Sequence, residues 1–442
     1  MLVELVMRAK SICIDGYNLS LPQGSGITTY GRNLLDAIDR MGFEGEVLYG
    51  PEVKPGLDNV LNEIALADAH RERRKMQKAV RYSKTITTRF GRSAVLVEPS
   101  GEVIWPERMG GQPLARRYRS SQDLYFLANR GFHRHGAMTP LTLKSAAHHG
   151  PDLMHWTSTL PIYARDAANI YTIHDLIPLR LPHATLESKE RYRSLVSFIV
   201  KKADHIAVVS EATRQDVIRI LGVPENKVTN TYQSVSIDPG ILFRSQSDVE
   251  LELKGIFDLG WKDYYLHFGA IEPKKNLGRI VEAYLASGVT KPLIVVGGRS
   301  WLDGPEVALF NQVKKDGGVS ASRLRRYEFM SRSMLVSLIR GARATLFPSL
   351  YEGFGLPVLE SMLLGTAVLT SNGGALPEVS GDAAVIVDPY DVQAMTRGLQ
   401  ALDADDELIL DLVARGKIQA AKFSQQAFIE RLKDLYAKVG VS

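Results

Sequence analysis

Residues 348–360 read Pro-Ser-Leu-Tyr-Glu-Gly-Phe-Gly-Leu-Pro-Val-Leu-Glu. The apolar run Ala344–Phe347 before them has the length of a buried strand, and helical character begins near Leu356. Between the two lies a loop in which Gly353 and Gly355 let the backbone come close to a ligand, with the free N–H groups of the following helix pointed at it. Glu352 sits in that loop and Glu360 more than one turn into the helix, so the two carboxylates can face one pocket from two depths. Carboxylates accept hydrogen bonds from hydroxyls, which sugars and riboses carry in number. The plainer alternative is a helix N-terminal acid at Glu352 and a solvated helix residue at Glu360.

Working outward, strands are expected at Tyr264–Phe268, Pro292–Val296, Ala367–Thr370 and Ala384–Val387, with helices between them. The first half shows the same alternation. Strands are expected at Ser11–Asp15, Leu153–Trp156, Ile170–Ile173 and His205–Val209, with a helix over about residues 185–202. The polar run Gln233–Ser247, containing Pro239-Gly240, reads as the connection between the halves. Alternation of this kind in both halves predicts an α/β protein of two Rossmann-like, doubly wound domains, with ligands at the carboxyl ends of the strands.

A second informative stretch is Phe268-Gly-Ala-Ile-Glu-Pro-Lys-Lys-Asn-Leu277. It follows a strand and precedes a helix, which sets Lys274 and Lys275 beside a helix N-terminus. Two ammonium groups there would stabilise a departing pyrophosphate as its bond to a sugar breaks, without a metal ion. In the first half, Gln23-Gly24-Ser25-Gly26 is a glycine loop between strand and helix, and His174 ends a strand in Ile173-His-Asp-Leu-Ile-Pro-Leu179.

Together these segments resemble the family-4 retaining glycosyltransferases of GT-B fold. The Glu352/Glu360 pair, with seven residues between them and Pro-Ser-x-Tyr-Glu-Gly-Phe-Gly-Leu-Pro around the first, is similar to that family's signature. The resemblance implies that Glu352 meets the donor sugar, Glu360 the nucleotide ribose, and Gly353, Phe354, Gly355 and Leu356 the donor. It also implies that His174 borders the transferred sugar and that Gly24 and Gly26 lie near the donor phosphates. Glu272-Pro-Lys-Lys-Asn276 is similar to the family's Glu-Pro-Arg-Lys-Asn; Lys274 stands where Arg is usual, so Lys275 is expected to matter more. Ser210-Glu-Ala-Thr213 and Ser371-Asn-Gly-Gly-Ala-Leu-Pro-Glu-Val379 resemble family loops at the domain interface and after the donor helix. The implied division is an acceptor-side domain over 1–240, a nucleotide-sugar domain over 241–424, and a terminal helix over 425–442 that crosses back to the first domain. The subgroup resembled is that of bacterial mannosyl- and rhamnosyl-type polysaccharide enzymes. GDP-mannose is thus the first expectation for the donor, a glycan or lipid-linked glycan for the acceptor, and no cofactor or metal is implied. A sugar-nucleotide epimerase of the same fold and a non-catalytic scaffold subunit remain as alternatives.

Composition agrees with a folded chain: 442 residues, 45% hydrophobic and 23% charged, suffice for two domains with real cores. A single cysteine, Cys13, excludes an internal disulfide framework and suits a reducing compartment. Neither a secretory leader nor an apolar run long enough to span a bilayer is legible, so the expected location is cytoplasmic. Charge is uneven. Residues 70–135 carry fifteen Lys and Arg against five acids, a surplus of ten, which leaves the rest of the chain at −5. This stretch belongs to a segment, about 71–149, expected as an insertion with a basic helix over 71–81, a hairpin of 94–97 with 103–105, and a helix over 122–134. Arg116, Arg117 and Arg119, with Trp105, Tyr118, Tyr125, Phe126 and Phe132, suggest docking on an anionic membrane surface. Nucleic acid is not an expected partner.

Overall fold

The structure, a computed structural model, describes residues 10–21, 26–54, 58–68, 85–106, 114–145, 148–298 and 304–442. The expected basic helix over 71–81 and Gly24 lie outside these residues.

The first half is built on an eight-stranded sheet. Its strands are β1 (Ser11–Asp15), β2 (Glu44–Tyr49), β4 (Val95–Val97), β5 (Arg117–Ser120), β7 (Leu153–Trp156), β9 (Ala168–Ile173), β10 (His205–Val208) and β11 (Val228–Asn230). Their order is β11-β10-β9-β7-β1-β2-β5-β4. All neighbours are parallel except β4 and β5. The short β3 (Arg92–Ser93), β6 (Thr139–Thr142) and β8 (Ile162–Ala164) form a separate three-stranded sheet. The second half has six parallel strands: β12 (Tyr265–Phe268), β13 (Leu293–Val296), β14 (Leu324–Tyr327), β15 (Ala344–Phe347), β16 (Ala367–Ser371) and β17 (Val385–Val387). Their order β14-β13-β12-β15-β16-β17 winds outward both ways from β12 and β15. The sense of winding therefore reverses between these two strands, and a crevice opens beyond their carboxyl ends. The same switch falls between β1 and β7 in the first sheet. Every residue of β12, β13 and β15 is buried, and β13 is Leu-Ile-Val-Val throughout, as parallel strands covered on both faces require.

The final helix, Gln425–Ala437, lies on the first half. Phe428 packs edge-on to Tyr30 at 5.8 Å, and the Tyr436 hydroxyl lies 2.9 Å from His155 Nδ1. Burial lowers the His155 pKa to about 3, so this imidazole is neutral and structural.

Two expectations about the 71–149 segment are corrected. Val95–Val97 pairs not with 103–105 but antiparallel with β5, which adds to β2 at the sheet edge. The cause is Glu63. Its carboxylate accepts from Ser100 N and Oγ, both at 2.6 Å, and from Trp105 Nε1 at 2.8 Å, tying 100–105 down as a loop. Most of the residues named for a docking face lie elsewhere than on one exposed surface. Tyr118, Trp105, Tyr125 and Phe132 are core residues. Arg119 is 1% exposed, bound to the equally buried Glu46 at 2.5 Å, while Arg117 pairs with Glu44 and Glu46 on the neighbouring strand. Of the three arginines only Arg116 stands in solvent, 3.7 Å from Asp39. The expected helix is present as Leu124–His135, with Leu124, Leu127, Ala128 and Phe132 turned inward. Among the described residues no helix is long and apolar enough to cross a membrane.

Candidate active site

The chain leaves β12 at Phe268 and runs through Glu272 into a single turn, Pro273–Lys275, before the helix Leu277–Ser287. It leaves β15 at Phe347 and runs through Glu352 to the helix Leu356–Leu363. Because β12 and β15 are neighbours, the two loops meet at the switch point: Leu350 N donates to Lys274 O at 2.8 Å, and Lys275 Nζ lies 2.6 Å from Glu352 Oε1. Glu352 is only 8% exposed. Burial alone would raise its pKa, but Lys275 and then Lys274 outweigh that and hold the carboxyl below its ordinary value. Burial likewise opposes the charge on Lys274, and Glu352, Asp175 and Glu272 together reverse the balance and raise its pKa. The site thus stores an ionised carboxylate and a permanent ammonium side by side, in a place water hardly reaches.

His174 follows β9 and faces this cluster from the first domain. Its Nε2 lies 2.9 Å from Thr157 O, a carbonyl that can only accept, and burial lowers the ring's pKa. The imidazole is therefore neutral with its proton on Nε2, and Tyr30 meets it edge-on at 5.0 Å. Thr157 also donates its N–H and hydroxyl to Asp15, the last residue of β1. Burial pushes the Asp15 carboxyl up to about 6 against the pull of those bonds. Between the domains lies a cleft of about 340 Å³, whose walls include Ile27, Ser158, His174, Asp175, Glu187, Tyr192 and Lys274.

Glu360 lies in the helix after Glu352 and forms a two-pronged pair with Arg332, at 2.6 and 3.3 Å. That arginine, which no sequence pattern singled out, opens the helix Arg332–Gly341 that follows β14. Lys274, expected to be the weaker of the lysines, is the one on the cleft wall, whereas Lys275 backs Glu352.

The residues expected at the donor also make structural contacts. A Cβ on Gly353 would lie 2.2 Å from His174 O and 2.8 Å from Asp175 Cβ, so this glycine lets the two domains touch. Gly355 has φ +109°, a left-handed conformation that L side chains rarely adopt. Phe354 is buried among Tyr232 and Phe423, with ring centroids 6.4 and 5.6 Å away, and is a packing residue. Leu356 reaches the opposite wall, 3.2 Å from where a Cβ on Gly26 would stand. Sequence reasoning missed Thr157 and Asp15, whose link to His174 joins three strands and leaves no local signature. Among the described residues, no three His, Cys, Asp or Glu side chains group as a metal site.

Comparison with known proteins agrees with this architecture. Residues 257–419 match the family described as "Glycosyl transferases group 1", and residues 101–238 match "Glycosyltransferase Family 4". The O-antigen chain mannosyltransferase B of Escherichia coli is 31% identical over 311 residues, 69% of this chain and 77% of that protein. The serotype-specific mannosyltransferase WbdA of the same organism is 30% identical over 283 residues, but the match spans only 33% of its length. Among solved structures, sucrose-phosphate synthase from Thermosynechococcus elongatus superposes with a TM-score of 0.66 at 16% identity, over 97% of this chain and 99% of that one. Anabaena Alr3699/HepE in complex with UDP and glucose gives 0.65 at 14% identity, over the same shares. These two likenesses establish the fold, and the mannosyltransferase relative establishes the family: the chain belongs to the family-4 glycosyltransferases of GT-B architecture.

Proposed function

We propose that the protein transfers a sugar, mannose from GDP-mannose first of all, to a hydroxyl of a glycan or lipid-linked glycan during assembly of a cell-surface polysaccharide. The similarity to an O-antigen chain mannosyltransferase supports the donor sugar and the setting. The observation that carries the chemistry is the Glu352–Lys275 pair with Lys274 beside it, at the switch point and opposite a neutral His174. In this reading the C1–O bond to the diphosphate breaks as a C1–O bond to the acceptor hydroxyl forms on the same face, and the hydroxyl proton leaves with the nucleoside diphosphate. Lys274 and Lys275 offset the charge growing on the diphosphate, so neither metal nor cofactor is required. Glu352 accepts hydrogen bonds from the sugar and stabilises the positive charge developing at C1. Glu360 and Arg332 take the ribose end. The acceptor enters the cleft between Ile27, Ser158, Tyr192 and Glu187, whose apolar and hydroxyl-bearing walls suit a sugar ring.

The test is a panel of sugar nucleotides given to the purified protein with neutral oligosaccharide acceptors. Release of GDP from GDP-mannose in step with acceptor glycosylation is expected. Turnover with every donor except GDP-mannose would refute the donor, and conversion to a new sugar nucleotide without diphosphate release would refute the transferase.

A further inference from the structure

The helix Glu211–Leu221 belongs to the first domain, yet half of its N-terminal cap comes from the second. Its own N-cap, Ser210, accepts from Thr213 N at 3.0 Å. The two preceding N–H groups, of Glu211 and Ala212, donate instead to the carboxylate of Glu378, each at 2.9 Å, one to each oxygen. The Tyr232 hydroxyl adds a third bond to the same carboxylate at 3.1 Å. A carboxylate at this place satisfies two donors that a helix cannot satisfy itself and complements the positive end of its dipole. Tyr232 stands where the chain leaves β11 toward the second domain and holds φ at +54°, a conformation rare outside glycine.

Glu378 is also tied to the reacting centre. It lies in the short helix Leu376–Ser380, which continues the loop of Gly374 and Ala375. Gly374 bridges Glu352, and Ala375 N donates to Glu352 O at 3.0 Å. On the other side of the cap, the Thr213 hydroxyl lies 3.1 Å from His174 O and 3.3 Å from Gly353 O, between the backbones that carry the two halves of the site. A further cross-domain bond runs from the Tyr351 hydroxyl to Asp216 on the same helix.

We infer that Glu378 is a positioning residue: a cap supplied across the domain boundary that holds Glu352 in register with His174 and so sets the closed geometry in which transfer occurs. The inference rests on the proposed transferase reading. The charged groups assigned to the nucleotide and diphosphate (Lys274, Lys275, Arg332 and Glu360) all lie in the second domain. Loosening the cap therefore separates the acceptor side from the donor side without dismantling the donor site. Parting the domains leaves two helix N–H groups to find water and lets the Glu352 loop move away from His174.

The experiment compares wild type with Glu378→Ala, Glu378→Gln and Tyr232→Phe. Three quantities are read: turnover in transfer, affinity for the nucleoside diphosphate, and the distance between spin labels at Arg219→Cys and Arg397→Cys, one in each domain. The native Cys13 is buried and takes no label. Glu378→Ala should lower kcat at least tenfold, keep the diphosphate Kd within threefold and broaden the distance distribution. Glu378→Gln, which keeps one accepting oxygen, should recover part of the loss, and Tyr232→Phe should cost about threefold. Wild-type turnover in Glu378→Ala, an equal loss in Kd and kcat, or an unchanged distance distribution would overturn the inference. Should Glu378→Ala fail to fold, the Gln and Phe variants carry the same comparison, with the same results for and against. Absence of diphosphate release by wild type sinks the transferase reading alone, because the label distances still judge the cap.

Discussion

Replacing Glu352 by Gln separates the chemical duty of this carboxylate from its structural one. The side chain keeps its shape and loses its charge. Glu352 and Lys275 have side chains 11% and 13% exposed and stand 2.6 Å apart, so the change leaves an ammonium in a nearly closed site with no direct counter-ion. Breaking a buried pair from one side costs about 3–5 kcal/mol. Lys274 is a second cation nearby, so no relief comes from that direction, and about 3 kcal/mol of stability should be lost. Turnover should fall at least about a hundredfold, equivalent to about 2.7 kcal/mol of barrier, because the oxocarbenium-like state loses its facing negative charge. The two effects part in the double variant Glu352→Gln/Lys275→Met, where the orphan charge is gone. Stability should then recover by about 2 kcal/mol while turnover stays low. Urea unfolding and nucleoside diphosphate release measure the two quantities on the same preparations. A Glu352→Gln protein with near-normal turnover, or a double variant in which activity returns together with stability, would refute the reasoning. In wild type, the lowered folded pKa of Glu352 means that its contribution is present above the unfolded value of 4.5 and is lost as pH falls below it.

Asp15 has the opposite sign. Its carboxyl rises from 3.8 unfolded to about 6 folded, so it favours the folded state when protonated and loses that contribution as pH climbs from about 4 through 6. Asp15→Asn should therefore gain on wild type by about 2 kcal/mol between pH 4.5 and pH 7 in urea unfolding; an advantage independent of pH would count against the buried acid. Arg119→Met leaves the buried Glu46 with only the 3.5 Å contact to Arg117 and should destabilise the first domain by about 3 kcal/mol, with no change in binding to anionic vesicles; the reverse pattern would place Arg119 on a docking face instead. Gly353→Ala puts a methyl group 2.2 Å from His174 O, forcing the domains about 1 Å apart. A displacement of that size costs about a hundredfold in turnover, and nucleoside diphosphate affinity should hold; unaltered turnover would show that the contact is dispensable.

What could be read from the sequence was what is local. The strand–loop–helix units around Glu352 and Lys275 are carried by runs of about ten residues, and the meeting of the two loops follows once β12 and β15 are central neighbours. Partners distant along the chain could not be read. Arg119 finds Glu46 across 73 positions, so a basic, aromatic stretch that looked like a surface is interior. The 94–105 hairpin failed for the same reason: Glu63, in a helix of its own, holds the loop that the local pattern wanted to fold back. Gly353 and Phe354 sit in a motif whose residue types suit a ligand; their part in domain contact and packing has no mark in the spacing. The Glu378 cap joins two segments 167 positions apart and has no sequence mark beyond two loops that resembled those of the family.

The most direct test of the account is proton NMR of the reaction mixture: purified protein, GDP-mannose, a neutral oligosaccharide acceptor and excess EDTA, followed at the anomeric signals. The account predicts that the α-linked donor signal gives way to an α-linked product signal, as GDP accumulates at a rate the chelator does not alter. A β-linked product, activity that vanishes in EDTA and returns with magnesium or manganese, or a new sugar nucleotide in place of GDP would contradict it.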